Sequence, residues 1–201
     1  MKKANIHNDI ILNTENINVT YQESIIALKD VSLNIHSGKL TAILGPSGCG
    51  KTTLLKVIAG LIEPSSGKVK VRGKEIDGPG PDRALVFQDF ALLPWATVIQ
   101  NVGFGLRARG VPKKERDETS LHYIREVGLQ GFEDKYPHQL SGGMRQRTGL
   151  ARALTINSDI LLMDEPFSAV DEQMRRKLQE DLLNLLKVES KTVIFVTHSI
   201  E

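Results

Sequence analysis

An α/β fold is predicted for this 201-residue sequence by three of its segments. The first is a glycine-rich octapeptide, Gly45-Pro46-Ser47-Gly48-Cys49-Gly50-Lys51-Thr52, set between a short apolar run and a stretch without Gly or Pro. The second is an apolar run, Ile160-Leu161-Leu162-Met163, that ends in the adjacent carboxylates Asp164 and Glu165. The third is the stretch from about 98 to 154, which has helical patterning and no strand alternation. The expected architecture is an α/β core with an N-terminal antiparallel β subdomain and an inserted helical subdomain.

The elements follow in chain order. Ile17, Val19 and Tyr21, then Val31, Leu33 and Ile35, then Val69 and Val71 place apolar side chains at a period of two, with turn residues between them. That pattern predicts antiparallel strands. Leu40 to Leu44, with Ala42 and Ile43 inside it, predicts a short strand leading into the glycine-rich loop. The stretch 52–59 carries Leu54, Leu55, Val57 and Ile58 and predicts a helix leading out of it. Ala84-Leu85-Val86-Phe87 reads as a strand closed by Gln88. Helical patterns occupy 113–127 and the segment after Leu140. Residues 160–163 read as a buried strand, and Met174, Leu178, Leu182 and Leu185 recur at the spacing of an amphipathic helix. That helix returns to a last strand, Val193-Ile194-Phe195-Val196-Thr197. The chain therefore reads as one domain, with 1–97 and 155–201 forming the core and β subdomain and 98–154 the helical subdomain.

Composition narrows the function classes. Hydrophobic residues at 40% and charged residues at 25% suit a globular domain with a real core. The net charge of +2 is small and dispersed, which argues against a nucleic-acid partner, and Lys113-Lys114-Glu115-Arg116 reads as a solvated helix face. No apolar run has the length needed to cross a bilayer. Lys2 and Lys3 are followed by Asn8, Asp9 and Asn13, too polar for a secretory signal. A single cysteine excludes an internal disulfide. That cysteine is Cys49, inside the glycine-rich loop, where alkylation should obstruct a ligand.

The octapeptide fits the phosphate-loop pattern: two glycines bracketing four residues, then Lys and Thr, between a strand and a helix. Backbone N–H groups that converge on phosphate oxygens need dihedrals and close approaches that a side chain would block, and Gly48 and Gly50 supply that room. Lys51 contributes a point charge for the terminal phosphates, Thr52 a hydroxyl ligand for Mg²⁺, and the following helix its positive N-terminal end. Gly45, Pro46, Ser47, Gly48, Cys49, Gly50, Lys51, Thr52 and Thr53 together form the expected nucleotide cradle. Asp164, at the C-terminal end of its strand, is placed where an open α/β sheet puts its ligands and is a candidate Mg²⁺ ligand. Glu165 beside it is a candidate general base for the attacking water. Taken alone, an Asp-Glu-Pro sequence reads as a plain strand end; the upstream phosphate loop reverses that reading.

Leu140-Ser141-Gly142-Gly143-Met144-Arg145-Gln146-Arg147 resembles the signature motif of ATP-binding cassette (ABC) proteins. Ser141 can cap a helix whose first-turn N–H groups, with those of Gly142 and Gly143, can bind an anion. The resemblance implies a P-loop NTPase (RecA-like) core, with ATP and Mg²⁺ as cofactors and a second ATP-binding subunit, in the simplest case an identical one. The signature of one subunit would then face the γ-phosphate of ATP held by the other. It also implies that Gln88 senses Mg²⁺ and the attacking water and links the site to a membrane partner. Asp171, in Ser168-Ala169-Val170-Asp171, would communicate between subunits; His198 would contact the γ-phosphate; Tyr21 would stack on adenine. Each residue by itself has a plainer reading: Gln88 a strand-end polar residue, Asp171 a helix cap, His198 a loop histidine, Tyr21 a core aromatic.

The resemblance covers nearly the whole chain and matches a transporter ATPase subunit on the cytoplasmic face of the membrane. Val86-Phe87-Gln88-Asp89-Phe90-Ala91-Leu92-Leu93-Pro94-Trp95 and Phe167-Ser168-Ala169-Val170-Asp171-Glu172-Gln173 are similar to the nitrate, sulfonate and taurine importers. The implied partners are permease subunits and, indirectly, a solute-binding protein. Trp95 is expected to line a groove for a permease helix, and at least one of Leu92 and Leu93 to enter the core. Two departures stand out. The sequence stops at Glu201, just after the switch-like histidine, where family members continue, so a C-terminal part is expected to be missing. Ser199 stands where Asp is common. The alternative is a non-catalytic nucleotide-binding regulatory or tethering ABC protein, and ATP turnover separates the two.

Overall fold

The structure, a computed structural model, describes residues 9–22, 24–166, 176, 179, 180, 183 and 191–197. Two sheets organise the chain. Strands β1 (Ile10–Tyr21), β2 (Ile25–His36), β4 (Ser66–Val71) and β5 (Lys74–Glu75) form an antiparallel sheet in the order β2-β1-β4-β5. Strands β3 (Leu40–Leu44), β6 (Arg83–Val86), β7 (Ile160–Asp164) and β8 (Thr192–Thr197) form a parallel sheet in the order β3-β8-β7-β6. The alternating segments at the N-terminus thus became antiparallel strands, and the continuous apolar runs became parallel ones.

The reason for that division is burial. Helix α1 (Lys51–Ile58) lies between the sheets and buries Leu54, Leu55, Val57 and Ile58. These side chains join Leu12, Ile17 and Val69 from the antiparallel sheet to Ile160, Leu162 and Ile194 from the parallel one. Each such apolar side chain contributes about 1.5–3 kcal/mol when fully buried. The opposite face of the parallel sheet, with Leu161, Met163 and Val193, packs against Ala153 and Leu154 of helix α5 (Gly142–Thr155). A strand covered on both faces has no need of polar alternation, and every residue of β7 is buried.

Helices α2 (Val98–Val102), α3 (Phe104–Ala108) and α4 (Lys113–Glu126) lie with α5 between β6 and β7 in the chain. Val98, Val102, Ile124, Val127, Leu129, Leu140 and Ala151 form their shared core. Ala151 lies on α5, so this helix belongs both to the helical layer and to the cover of the sheet. The Lys113–Glu115 end of α4 is exposed, as its charge predicts.

Three details depart from the expectations. Strand β6 ends at Val86, so Gln88 stands two residues beyond it, in a turn that Phe90 N closes on the Phe87 carbonyl at 3.0 Å. Tyr21 is 40% exposed at the β1–β2 hairpin, which removes the core-aromatic reading. Phe90, and not a leucine, is the buried member of the apolar cluster; Leu92 and Leu93 are half-buried and Trp95 is 74% exposed. The helix expected around Met174 to Leu185 falls largely outside the described residues, although Arg176, Gln179, Glu180 and Leu183 are helical.

Asn101 fixes the connection that carries Trp95. Its side chain is fully buried; Oδ1 accepts from Leu93 N at 2.8 Å, while Nδ2 is shared among the carbonyls of Leu93, Ala96 and Thr97 at 2.9–3.1 Å. Asn101→Ala leaves these backbone groups unpaired in a buried setting. It should lower unfolding free energy by about 2–3 kcal/mol in urea titration, with loss confined to below 1 kcal/mol counting against the role.

Candidate nucleotide site

Strand β3 delivers the chain into the glycine-rich loop, and α1 takes it out. Gly48 has φ +79° and Gly50 φ +94°, the left-handed region that glycine occupies without steric cost. A Cβ at Gly50 would stand 2.4 Å from the Ala27 carbonyl oxygen of β2, so this position is closed to any side chain. At Gly48 a Cβ would meet nothing within 4 Å, which leaves that side of the loop open for a ligand. Gly50 is also the N-cap of α1, and no side chain caps the helix. The first-turn N–H groups, including those of Lys51, Thr52 and Thr53, therefore face the loop without an intrahelical acceptor. This is the arrangement that binds phosphate.

Lys51 is buried, and its Nζ donates to the carbonyls of Gly45 and Pro46, both at 2.8 Å. The ammonium thus braces the loop through two of its carbonyls, a part beyond the phosphate contact that the motif suggests.

The bond that unites the site runs from Thr52 Oγ1 to Asp164 Oδ1, 2.9 Å across a sequence separation of 112 residues. Asp164 is buried, and that burial pushes its pKa up from the ordinary value; the Glu165 charge acts in the same direction, while the Thr52 hydroxyl, Lys56 and Lys51 oppose it. A hydroxyl and a desolvated carboxylate side by side are hard oxygen donors suited to Mg²⁺, and the cation would supply the charge compensation that Asp164 lacks. No cluster of three or more His, Cys, Asp or Glu side chains able to hold a metal occurs among the described residues. Magnesium here would draw its remaining ligands from phosphate and water, its usual habit.

Glu165 has φ +44°, unusual for a residue with a side chain and costing about 1–2 kcal/mol. Its N–H donates to Val196 O at 3.1 Å, tying the end of β7 to β8. The next carbonyl, of Pro166, accepts a hydrogen bond from the buried Gln146 side chain of α5. Strain of this kind, imposed by surrounding contacts, fixes where the carboxylate departs from the sheet.

Sheet register places the remaining candidates. Val86 of β6 pairs with Met163 of β7, so Gln88 and Glu165 are each two residues past a matched pair at the same sheet edge. Leu44 pairs with Thr197 and Asp164 with Val196, which brings the phosphate loop to that edge too. His198 and Asp171 lie outside the described residues. Ser141 caps α5, its Oγ accepting from Met144 N at 3.3 Å, and Gly142 and Gly143 open the helix. Among the described residues, the hydrogen bonds of Ser141 stay within its own helix. Tyr21 stands at the exposed hairpin beside Ile25. Two residues to which the sequence assigns no individual role touch the functional loops: Gln146, just described, and Arg152, whose guanidinium binds the Phe90 and Ala91 carbonyls. Gln146 lies within the signature-like octapeptide, but nothing in the pattern indicates its acceptor.

A parallel sheet whose C-terminal edge gathers a phosphate loop, a threonine hydroxyl and a buried aspartate defines a P-loop nucleotide hydrolase. The chain belongs to the ABC transporter family, whose model matches residues 28–168. It is an ATPase of the ABC type. It is 50% identical over 193 residues to an uncharacterised ABC transporter ATP-binding protein of Methanocaldococcus jannaschii, covering 94% of this chain and 72% of that protein. It is 50% identical over 175 residues to the taurine import ATP-binding protein TauB of Yersinia pestis, covering 87% of this chain and 69% of the relative. Among solved structures, a dimeric post-hydrolysis state of an ATP-binding cassette bound to ADP and Pi superposes with a TM-score of 0.83. The two are 34% identical, over 94% of this chain and 88% of that one.

Two outcomes are expected at this site. Lys51→Ala removes both the ammonium charge and the brace on Gly45 and Pro46, so ATP binding should be lost while circular dichroism stays close to that of the parent; unchanged affinity for a fluorescent ATP analogue would refute it. For Asp164, a folded-state pKa above the unfolded one means that its contribution to stability is present below the unfolded pKa and lost as pH rises through the folded pKa. Near neutral pH the ionised carboxylate therefore destabilises the nucleotide-free fold. Asp164→Asn should raise Tm without nucleotide and remove Mg²⁺-dependent turnover, and a lower Tm would contradict the desolvation argument.

Proposed function

We propose that this chain is the ATP-hydrolysing subunit of an importer that moves a small anion of the nitrate, sulfonate or taurine kind through a membrane permease. The observation that carries the catalytic part is the Thr52–Asp164 bond, which puts a magnesium-suited oxygen pair beside a phosphate loop and one residue from Glu165. The importer part rests on the taurine import relative. No helix among the described residues is long and apolar enough to cross a membrane; in this reading the subunit docks peripherally, at the cytoplasmic face, through its permease. The permease would be met in part through the exposed Trp95, and the solute-binding protein only through the permease.

In this reading the loop from Gly45 to Thr53 cradles the phosphates of ATP, Lys51 meets the terminal ones, and Tyr21 packs against adenine. Thr52, Asp164 and Gln88 would hold Mg²⁺, which when bound neutralises charge developing on the phosphates. Glu165 takes a proton from the attacking water as the water oxygen bonds to the γ-phosphorus and the bond to the bridging oxygen of ADP breaks. Gln88 and His198 orient the water and the γ-phosphate. Ser141, Gly142 and Gly143 of a second, identical subunit close the far side with a helix N-terminus, and Asp171 lies between the two subunits. The alternative of a non-catalytic regulatory or tethering protein is not favoured, given relatives named for import and for a post-hydrolysis state.

Removing only the base separates binding from hydrolysis. Glu165→Gln should lower turnover by a factor on the order of 10² or more and let an ATP-bound dimer accumulate in light scattering. Ser141→Arg, added to that variant, should prevent the dimer by filling the helix end that meets the phosphate. Normal turnover in Glu165→Gln would remove Glu165 from the mechanism, and a dimer indifferent to Ser141→Arg would contradict the shared site.

A further inference from the structure

Two residues after Gln88 the backbone does something expensive. Phe90 and Ala91 both have positive φ, +60° and +43°, and neither is a glycine. Each such residue costs roughly 1–2 kcal/mol relative to right-handed backbone, so consecutive ones revert unless something holds them. The holder is Arg152 of α5. Its Nη1 donates to the Ala91 carbonyl at 2.8 Å and its Nη2 to the Phe90 carbonyl at 2.6 Å, one guanidinium edge gripping two successive peptide units. Burial disfavours the charge of Arg152, so these carbonyls replace lost hydration as well as fixing the loop. The helix also approaches the loop closely: a Cβ at Gly149 would stand 3.3 Å from Phe90 Cβ, and Phe90 itself is buried against this surface. Thr155 Oγ1 bonds the Arg152 carbonyl at 2.8 Å and the Val102 carbonyl at 3.0 Å, securing this end of α5 to α2.

We propose that Arg152 is a positioning residue for Gln88: by clamping the strained Phe90–Ala91 peptides to α5, it sets where the loop carrying Gln88 stands at the sheet edge. The proposal rests on the role given above to Gln88. A shift of α5 moves the guanidinium, the guanidinium moves the two carbonyls, and the loop follows as a unit, since Phe90 N is also tied to Phe87 O across Gln88. Lysine cannot substitute fully, because a single ammonium lacks the fork that spans two acceptors.

The test reads loop placement separately from turnover. In Arg152→Gln, amide exchange in residues 88–93 should rise about tenfold, kcat should fall on the order of tenfold, and KM for ATP should stay within about twofold. Arg152→Lys should fall between the parent and Arg152→Gln. Ala91→Gly placed on Arg152→Gln removes the side chain that opposes positive φ and should restore part of kcat. Unchanged exchange in 88–93 overturns the proposal whatever kcat does. So does a loss of kcat that is accompanied by an equal loss of ATP affinity and is untouched by Ala91→Gly, since that is general destabilisation. Gln88→Ala, measured alongside, tests the underlying reading: normal turnover there would remove Gln88 from the mechanism while exchange still decides whether Arg152 holds the loop.

Discussion

Because β7 is buried on both faces, the chemistry at its end inherits a fixed frame. Ile160 and Leu162 face α1 and the antiparallel sheet, while Leu161 and Met163 face α5. β6 and β8 pair with it on either side, so the strand can neither slide nor rotate without exposing apolar surface or breaking ladder hydrogen bonds. Asp164 is the last residue of that strand and so reaches Thr52 Oγ1 from an immobile support. The same burial sets its electrostatics. A carboxylate kept from water in this position is poorly compensated by protein alone, and a site that holds a desolvated anion beside a hydroxyl favours a cation arriving with phosphate. Stability is given up locally for binding.

Lys51 shows the same logic in the opposite sign. Its ammonium bonds two loop carbonyls, which holds the loop's shape and fixes a buried positive charge within it before any ligand arrives. Preorganised charge in a partly dry site costs little reorganisation when ligand arrives. The closed approach of Gly50 to Ala27 of β2 adds a steric limit, so the antiparallel sheet takes part in shaping the phosphate loop.

What the sequence made legible was local. The octapeptide with its strand and helix, the fully apolar run before Asp164, and the alternating N-terminal strands each encode their structure within a few residues, since side-chain spacing alone determines which face is buried. The Ser141 cap was legible for the same reason. The contacts that hold the loops were not. Arg152 meets acceptors 61 and 62 residues away, Gln146 meets one 20 residues away, and in each case the partner is a backbone carbonyl that every residue possesses. No residue type marks such an acceptor. The positive φ of Phe90, Ala91 and Glu165 left no glycine as a sign, because tertiary contacts impose it. Strand β6 ending before Gln88 followed from the same cause: the turn is closed by a backbone bond between phenylalanines that alternation cannot reveal.

Helix α5 gathers these non-local contacts onto one rigid body. Its N-terminus bears Ser141, Gly142 and Gly143; its middle bears Gln146, bonded beside Glu165; its last turns bear Arg152, bonded beyond Gln88. A helix rises about 1.5 Å per residue, so the Gln146 and Arg152 grips are separated by roughly 9 Å along the axis. Two grips that far apart resist rotation as well as translation, and a push on the N-terminus therefore reaches both loops together. If the N-terminus meets a phosphate on a second subunit, as proposed, then closure of one site bears on the base and the glutamine of the other through a single helix. Ala153 and Leu154 on the sheet, and Ala151 in the helical core, keep that helix seated between the two layers it joins.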